Sequence, residues 1–225
     1  MLKENLEKIR ENIFRAAGKV GRDPAEVEVV AVCKNVNVEK IKEVIELGIT
    51  HIAENRIQEA RVKYMELKNY EICWHMVGHL QRNKVKYAVE IFNYLHSLDR
   101  IELLKEVDRK MEVTGKKMKT FIQVNTSGER TKFGISPQEV DEFVDEVLKT
   151  KCCEFLGFMT MAPLTDEEDI IRSCFRKLRE IRDRVSERLN TRLYLSMGMS
   201  NDYQIAVEEG ADFLRIGRAI FGGEI

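Results

Sequence analysis

Residues 27–55 read VEVVAVCKNVNVEKIKEVIELGITHIAEN. The first eight, VEVVAVCK (27–34), form a short β-branched run too apolar to be half exposed, which is the pattern of a strand buried on both faces. Residues 38–47 then place Ile41, Val44 and Ile45 at helical spacing, with Gly48 as the stop. Residues 50–53 return to a strand. Strand, helix and parallel strand within some thirty residues make a crossover unit, and such units build parallel sheets.

The same unit recurs along the chain. The patterns predict strands at 72–77, 94–98, 120–125, 155–161, 193–197 and 213–217. Helices are predicted at 57–67, 84–91, 100–111, 137–149, 166–189 and 203–208, with Pro137 near the first turn of its helix. Upstream, Leu2, Leu6, Ile9, Ile13 and Ala17 form an apolar stripe over residues 2–17, a leading amphipathic helix. Eight strands, most followed by a helix, fit a (β/α)₈ TIM-type barrel near its lower size limit. A doubly wound sheet is the rival, but eight is the number at which a barrel closes. No linker or composition break divides residues 1–225, so a single barrel domain is expected, with an extra N-terminal helix and no C-terminal β domain.

Composition excludes several classes. Hydrophobic residues make up 44% and charged residues 33% of the 225, which is not a disordered chain. Lys+Arg is 37 and Asp+Glu is 38, a net charge of −1, so no basic excess points to nucleic acid or anionic membrane. No apolar run is long enough to span a bilayer, and the charged start MLKENLEKIRENIF is not a secretory signal. Cys33, Cys73, Cys152, Cys153 and Cys174 are odd in number and irregularly spaced, which suggests reduced thiols and a cytoplasmic location.

In a barrel of this type the chemistry gathers at the carboxyl ends of the strands. Strand one ends in Lys34. A rim lysine partly stripped of water presents a nucleophilic amine to aldehydes. Strands seven and eight end in MGMS (197–200) and RIGR (215–218), the two positions where barrels frequently hold a phosphate. Gly198 and Gly217 let backbone amides approach an anion, Ser200 offers a hydroxyl near a helix start, and Arg215 and Arg218 add positive charge. An amine and a phosphate cradle across one mouth suggest a ligand bearing both aldehyde and phosphate. Pyridoxal 5′-phosphate is one such ligand, and a phosphorylated sugar for a Schiff-base aldolase is another.

Other constellations carry less. His75 and His79 are four apart with Gly78 between them, so a helical zinc pair is disfavoured and no metal site is expected; both read as satisfied histidines near the mouth. Cys33 reads as a packing cysteine. The arginines at 172, 176, 179, 182, 184 and 188 interleave with Glu180, Asp183 and Glu187, a solvated ion-paired face rather than an RNA track. Methionines and aromatics follow the strand and helix periods and are expected in the core. Asp99 and Glu54 are candidate acid/base carboxylates with no evident partner.

Segments 29–60, 74–86, 121–134 and 195–222 resemble the YggS/PROSC family of pyridoxal-phosphate-binding proteins. VVAVCK…AENRIQEA is similar to that family's VAVSKT…GENYVQEA. WHMVGHLQRNK resembles WHFIGHLQxNK, VNTSGERTKFG resembles VNxSGExxKxG, and LSMGMSNDYQIAVEEGADFLRIGRAIFG is nearly the family pattern. The resemblance implies one barrel like the N-terminal domain of alanine racemase, with pyridoxal 5′-phosphate held as a Schiff base on Lys34. It implies phosphate contacts from Ser200 and the amides around Gly217 and Arg218. It places Arg215 beside the ring nitrogen or the phosphate, and Asn55 in the same mouth. Departures are Cys33 for Ser, Ala53 for Gly, Arg56 for Tyr, and Arg218 for the usual Ser or Thr. The last leaves the backbone amide, or the guanidinium in place of a hydroxyl, for the phosphate.

The function so implied is intracellular pyridoxal-phosphate homeostasis without catalytic turnover. The cofactor is held as a lysine aldimine and passed to apo pyridoxal-phosphate enzymes. An arginine near the ring nitrogen makes the ring a weaker electron sink. Racemases of this fold draw a tyrosine from a second domain, and this sequence stops at Ile225 after strand eight. The alternative is an amino-acid racemase or decarboxylase-like enzyme. A monomer is expected.

Overall fold

The computed structural model describes residues 1–129 and 131–223. Arg130 of the third motif, and Glu224 and Ile225 at the end of the sequence, lie outside the described residues. Eight parallel strands close into a barrel in chain order. They are β1 (Glu28–Val32), β2 (His51–Glu54), β3 (Cys73–Met76), β4 (Tyr94–Leu98), β5 (Met118–Gln123), β6 (Cys153–Met159), β7 (Tyr194–Ser196) and β8 (Phe213–Ile216). Closure is made by β1 on β8, where Val29 pairs with Leu214 and Ala31 with Ile216. The barrel settles the choice against a doubly wound sheet.

Helix α1 (Leu2–Lys19) precedes the barrel. The strands alternate with α2 (Val38–Glu46), α3 (Ile57–Leu67), α4 (Val85–Ile91), α5 (Ile101–Thr114), α6 (Val140–Leu148), α7 (Glu168–Leu189), α8 (Tyr203–Glu208) and a four-residue α9 (Arg218–Phe221). The α1 stripe of Leu2, Leu6, Ile9, Ile13 and Ala17 is buried as its spacing predicts. Each large apolar side chain so buried contributes roughly 1.5–3 kcal/mol. The stripe lies against α8 and α9. Asn5 Nδ2 donates to the Ile220 carbonyl (2.8 Å) and Asn12 Nδ2 to the Tyr203 hydroxyl (2.7 Å), so the leading helix braces the last turns of the fold.

Two strands begin earlier than their patterns suggest. β5 takes in Met118 and Lys119, which pair with Cys153 and Glu154, and releases Val124 and Asn125 to Ile135. β6 likewise starts at Cys153. Its register shifts against β5 where Gly157 stands at φ +150°, and a Cβ there would sit 2.0 Å from the Tyr194 carbonyl oxygen. Glycine is what allows β6 and β7 to approach at that point.

Two expectations about the surface need correction. The α7 arginines pair mostly off their own helix. Arg172 meets Glu208 and Glu209, Arg176 and Arg179 meet Glu209, and Arg184 and Arg188 meet Asp141 and Asp145. They tie α7 to the end of α8 and to α6. Nor are all methionines and aromatics core: Phe14, Met65 and Phe133 are exposed.

Candidate functional site

The loops at the carboxyl ends of the strands surround a cavity of about 560 Å³. Lys34, Asn55, Ser200, Arg215, Gly217 and Arg218 all line it, while Gly198, also singled out in the sequence, does not. The barrel order explains the grouping. β7, β8, β1 and β2 are consecutive neighbours, so the loops that follow them stand side by side at one mouth.

The loops after β7 and β8 are bound into one unit. Gly198 adopts φ +91°, and a Cβ there would meet the Ala206 Cβ at 2.6 Å. Its carbonyl accepts the Arg215 N–H (2.9 Å). Asp202 Oδ1 accepts the Met199 N–H (2.5 Å) and holds the MGMS turn. Ser200 Oγ accepts the Ala219 N–H (3.1 Å), and the Arg218 guanidinium donates to Asn201 Oδ1 (3.3 Å), each crossing from one loop to the other. The result is a hydroxyl, a guanidinium and backbone amides at one wall, a donor set suited to an anion.

Arg215 is only 4% exposed although it lines the cavity. Its guanidinium donates to Ser196 Oγ (2.6 Å) and to the Thr160 carbonyl (2.8 Å). Burial pulls its pKa down to about 10, with the Asp202 carboxylate acting in the opposite sense, so it remains a cation at neutral pH.

Beside this wall, Lys34 follows β1 and is half-buried. Asn55 follows β2, and its carboxamide oxygen is buried without a hydrogen-bond partner. A buried acceptor left open in a cavity wall is a place for a ligand donor. Gly78 makes the close packing there possible: a Cβ on it would lie 2.2 Å from the Asn55 carbonyl oxygen.

The structure corrects three readings. His79 does line the mouth, its ring stacked on Phe133 at 4.2 Å, but His75 is fully buried inside the barrel. There it bonds His51 (2.8 Å) and His96 (2.8 Å), and His96 bonds Ser196 (2.7 Å). Neighbouring strands alternate inward positions, which takes His75 off the rim. The two carboxylates also have partners. Asp99 pairs with Arg100 (2.5 Å) and stands 3.5 Å from His79, and Glu54 pairs with Lys63 (2.6 Å). Cys33 is buried as expected, and burial pushes its thiol pKa up, so it is not a thiolate.

His51, His96 and Lys63 were not singled out in the sequence. The histidines sit on strands whose inward face a pattern does not reveal. A signal for Lys63 was available in its helical spacing with the apolar Ile57, Ala60 and Leu67 of α3.

The chain matches the family model described as "Alanine racemase, N-terminal domain" over residues 5–224. It is 38% identical to an Aquifex aeolicus protein named "Pyridoxal phosphate homeostasis protein", over 97% of this chain and 96% of that one. A Pseudomonas aeruginosa protein of the same name is 34% identical over 97% of this chain and 94% of its own. Among solved structures, PipY of Synechococcus elongatus with PLP bound superposes with a TM-score of 0.87 at 31% identity, covering 99% and 100% of the two chains. An alanine racemase from Clostridium difficile superposes with a TM-score of 0.79 at 14% identity, covering 99% of this chain and 59% of the racemase, a likeness of fold alone.

Proposed function

The chain belongs to the family of the alanine racemase N-terminal domain, and on that premise we propose that it is a pyridoxal 5′-phosphate-binding protein of vitamin B6 homeostasis. One observation carries this reading. A lysine amine, an open buried acceptor and an anion-binding wall meet around a single cavity of about 560 Å³, the donor set that an aldehyde-bearing phosphate ester requires.

Pyridoxal 5′-phosphate, when bound, supplies an aldehyde that condenses with a primary amine and a ring that withdraws electrons. Lys34 supplies the amine. The Ser200 hydroxyl, the backbone amides at Gly217 and Arg218, and the Arg218 guanidinium bind the phosphate. Asn55 Oδ1 accepts a hydrogen bond from the ligand. Arg215, anchored by Ser196 and Thr160, keeps a fixed positive charge in the wall, and a fixed cation disfavours a further proton beside it. That suits a site that holds the cofactor rather than one that turns over a substrate. The names of the relatives point the same way. We infer a monomer in the cytoplasm that binds reactive cofactor and releases it to apoenzymes. No helix among the described residues is long and apolar enough to cross a membrane.

The test is a visible spectrum of the purified protein with added pyridoxal phosphate, then borohydride reduction and peptide mapping. The expected result is a long-wavelength band and a pyridoxyl adduct on Lys34, both lost in Lys34→Ala. A band retained in Lys34→Ala, or an adduct mapped elsewhere, overturns the assignment of Lys34. Racemisation of added L-alanine by the loaded protein would overturn the non-catalytic reading.

A further inference from the structure

Lys63 has a place that neither packing nor surface charge accounts for. It lies on α3 with its residue 7% exposed, a rare position for lysine. Its ammonium donates to Glu54 Oε1 (2.6 Å) and to the backbone carbonyl of Cys33 (2.6 Å), and stands 3.8 Å from Glu59 Oε2. Cys33 is the residue immediately before Lys34. On the other side of Lys34, the Asn35 N–H donates to Glu59 Oε2 (3.0 Å). Glu59 and Lys63 are one helical turn apart, so α3 grips the chain on both sides of Lys34 with two neighbouring side chains.

The gripped loop is one that would not hold this form unaided. Asn35 stands at φ +57°, the left-handed region that a non-glycine residue adopts at a cost. The Cys33 carbonyl also accepts the Val36 N–H (3.0 Å), closing a tight turn around Lys34. Glu54 is wholly buried and its second oxygen has no partner. An ion pair buried in this way is a poor device for stability alone, since apolar residues of the same volume serve as well or better. Its specific gain here is a fixed backbone on both sides of one lysine.

We propose that Glu54, Lys63 and Glu59 are positioning residues that clamp the loop after β1 and thereby aim the Lys34 amine into the cavity. The inference rests on the reading of Lys34 as the cofactor-bearing lysine. It assigns the clamp no contact with the ligand. Its effect passes through the backbone of Cys33 and Asn35, so it is read in how Lys34 binds rather than in whether the fold forms. Loss of alignment by about an ångström is enough to cost a reacting group up to about a hundredfold, and a loosened loop is expected to weaken pyridoxal-phosphate binding about tenfold.

Three variants of the full chain test it: Glu59→Ala, Glu59→Gln, and the double substitution Glu54→Gln/Lys63→Met, which removes the ion pair without leaving a buried charge alone. The readouts are the dissociation constant for pyridoxal phosphate from the visible band, the pH at which that band is half lost, and the exchange rate of the Asn35 amide in cofactor-free protein. Glu59→Ala and the double variant are expected to bind about tenfold more weakly, with a shifted pH midpoint. Glu59→Gln, which keeps an acceptor for Asn35, is expected to bind like the parent. The Asn35 amide is expected to exchange faster in Glu59→Ala alone of the two Glu59 variants. Parental affinity and pH midpoint in Glu59→Ala overturn the clamp. If the double variant does not fold, the two Glu59 variants decide the matter. If the parent shows no band at all, the cofactor reading falls, and unchanged Asn35 exchange in Glu59→Ala would then overturn the clamp separately.

Discussion

At the mouth of the barrel Asn55 keeps an acceptor in reserve; in the interior a row of histidines consume one another's hydrogen bonds. Asn55 Oδ1 is buried with no partner, and Lys34 is half-buried on the same cavity. Beneath it, a chain of His51, His75, His96 and Ser196 crosses from one side of the barrel to the other and ends on Arg215. Arg215 donates to Ser196, which frees the serine proton for His96 Nδ1. Each ring then donates from Nε2 to the next, and the last N–H points toward Glu28, 3.8 Å from His51. This polarity gives every contact one proton and every ring a neutral charge. An open acceptor in the cavity wall marks a surface suited to a ligand, and the closed histidine chain marks a surface built for the fold.

The sharpest way to break this comparison is His96→Ala. The substitution leaves the Ser196 hydroxyl proton and a His75 nitrogen without a partner in a buried interior and opens a void beside Phe121, which stacks on His96 at 4.6 Å. Truncation and desolvation together predict a loss of about 3–5 kcal/mol in urea unfolding. A loss under about 1 kcal/mol would mean that the interior chain is not structural.

The second effect is on pH. Burial, with the neighbouring imidazoles and Lys119, holds His75 well below the usual histidine range; burial and Arg215 do the same for His96. His51 is lowered by burial as well, with Glu28 opposing. A histidine depressed in the folded state binds its proton first in the unfolded chain, so stability falls as pH drops through the unfolded value of 6.5. Between pH 7.5 and 5.5, His75 and His96 together predict a loss of about 2–3 kcal/mol. Glu54, Asp202 and Asp212, raised by burial, act in the opposite direction as pH falls toward the ordinary carboxylate range. Unfolding midpoints at several pH values measure the slope, and a flat profile from pH 7.5 to 5.5 would show that the rings are not held neutral.

The same contrast explains what could be read from the sequence. The barrel was legible because short apolar, β-branched runs alternate eight times with segments of helical period. That Lys34, Ser200, Arg215, Gly217 and Arg218 share one mouth was legible because a strand end has a definite place in this architecture, and the family resemblance added Asn55. His75 was placed at the rim because it lies close to the end of its strand, and only the closed barrel shows which way it points. Glu54 lacked a visible partner because the partner comes from α3, across a turn of helix that a linear pattern does not fold back. The arginines of α7 were assigned to carboxylates on their own helix for the same reason. Contacts between elements were illegible, while positions within them were not.

The smallest effect tests the comparison from the side of the mouth. Ser200 Oγ accepts the Ala219 N–H at the first turn of α9, a local cap at the solvent end of the barrel. Removing it in Ser200→Ala costs a capping interaction of about 0.5–1 kcal/mol, because water can reach the freed amide. On the proposed reading the cofactor phosphate would, in contrast, lose the Ser200 hydroxyl, and a hydrogen bond to a charged group carries about 1.5–3 kcal/mol. Affinity is therefore expected to fall roughly ten- to a hundredfold while the urea midpoint moves little, the reverse of His96→Ala. An equal or larger change in stability than in affinity would place Ser200 with the interior chain, as a residue that holds the barrel end together and leaves the anion to the amides of Gly217 and Arg218.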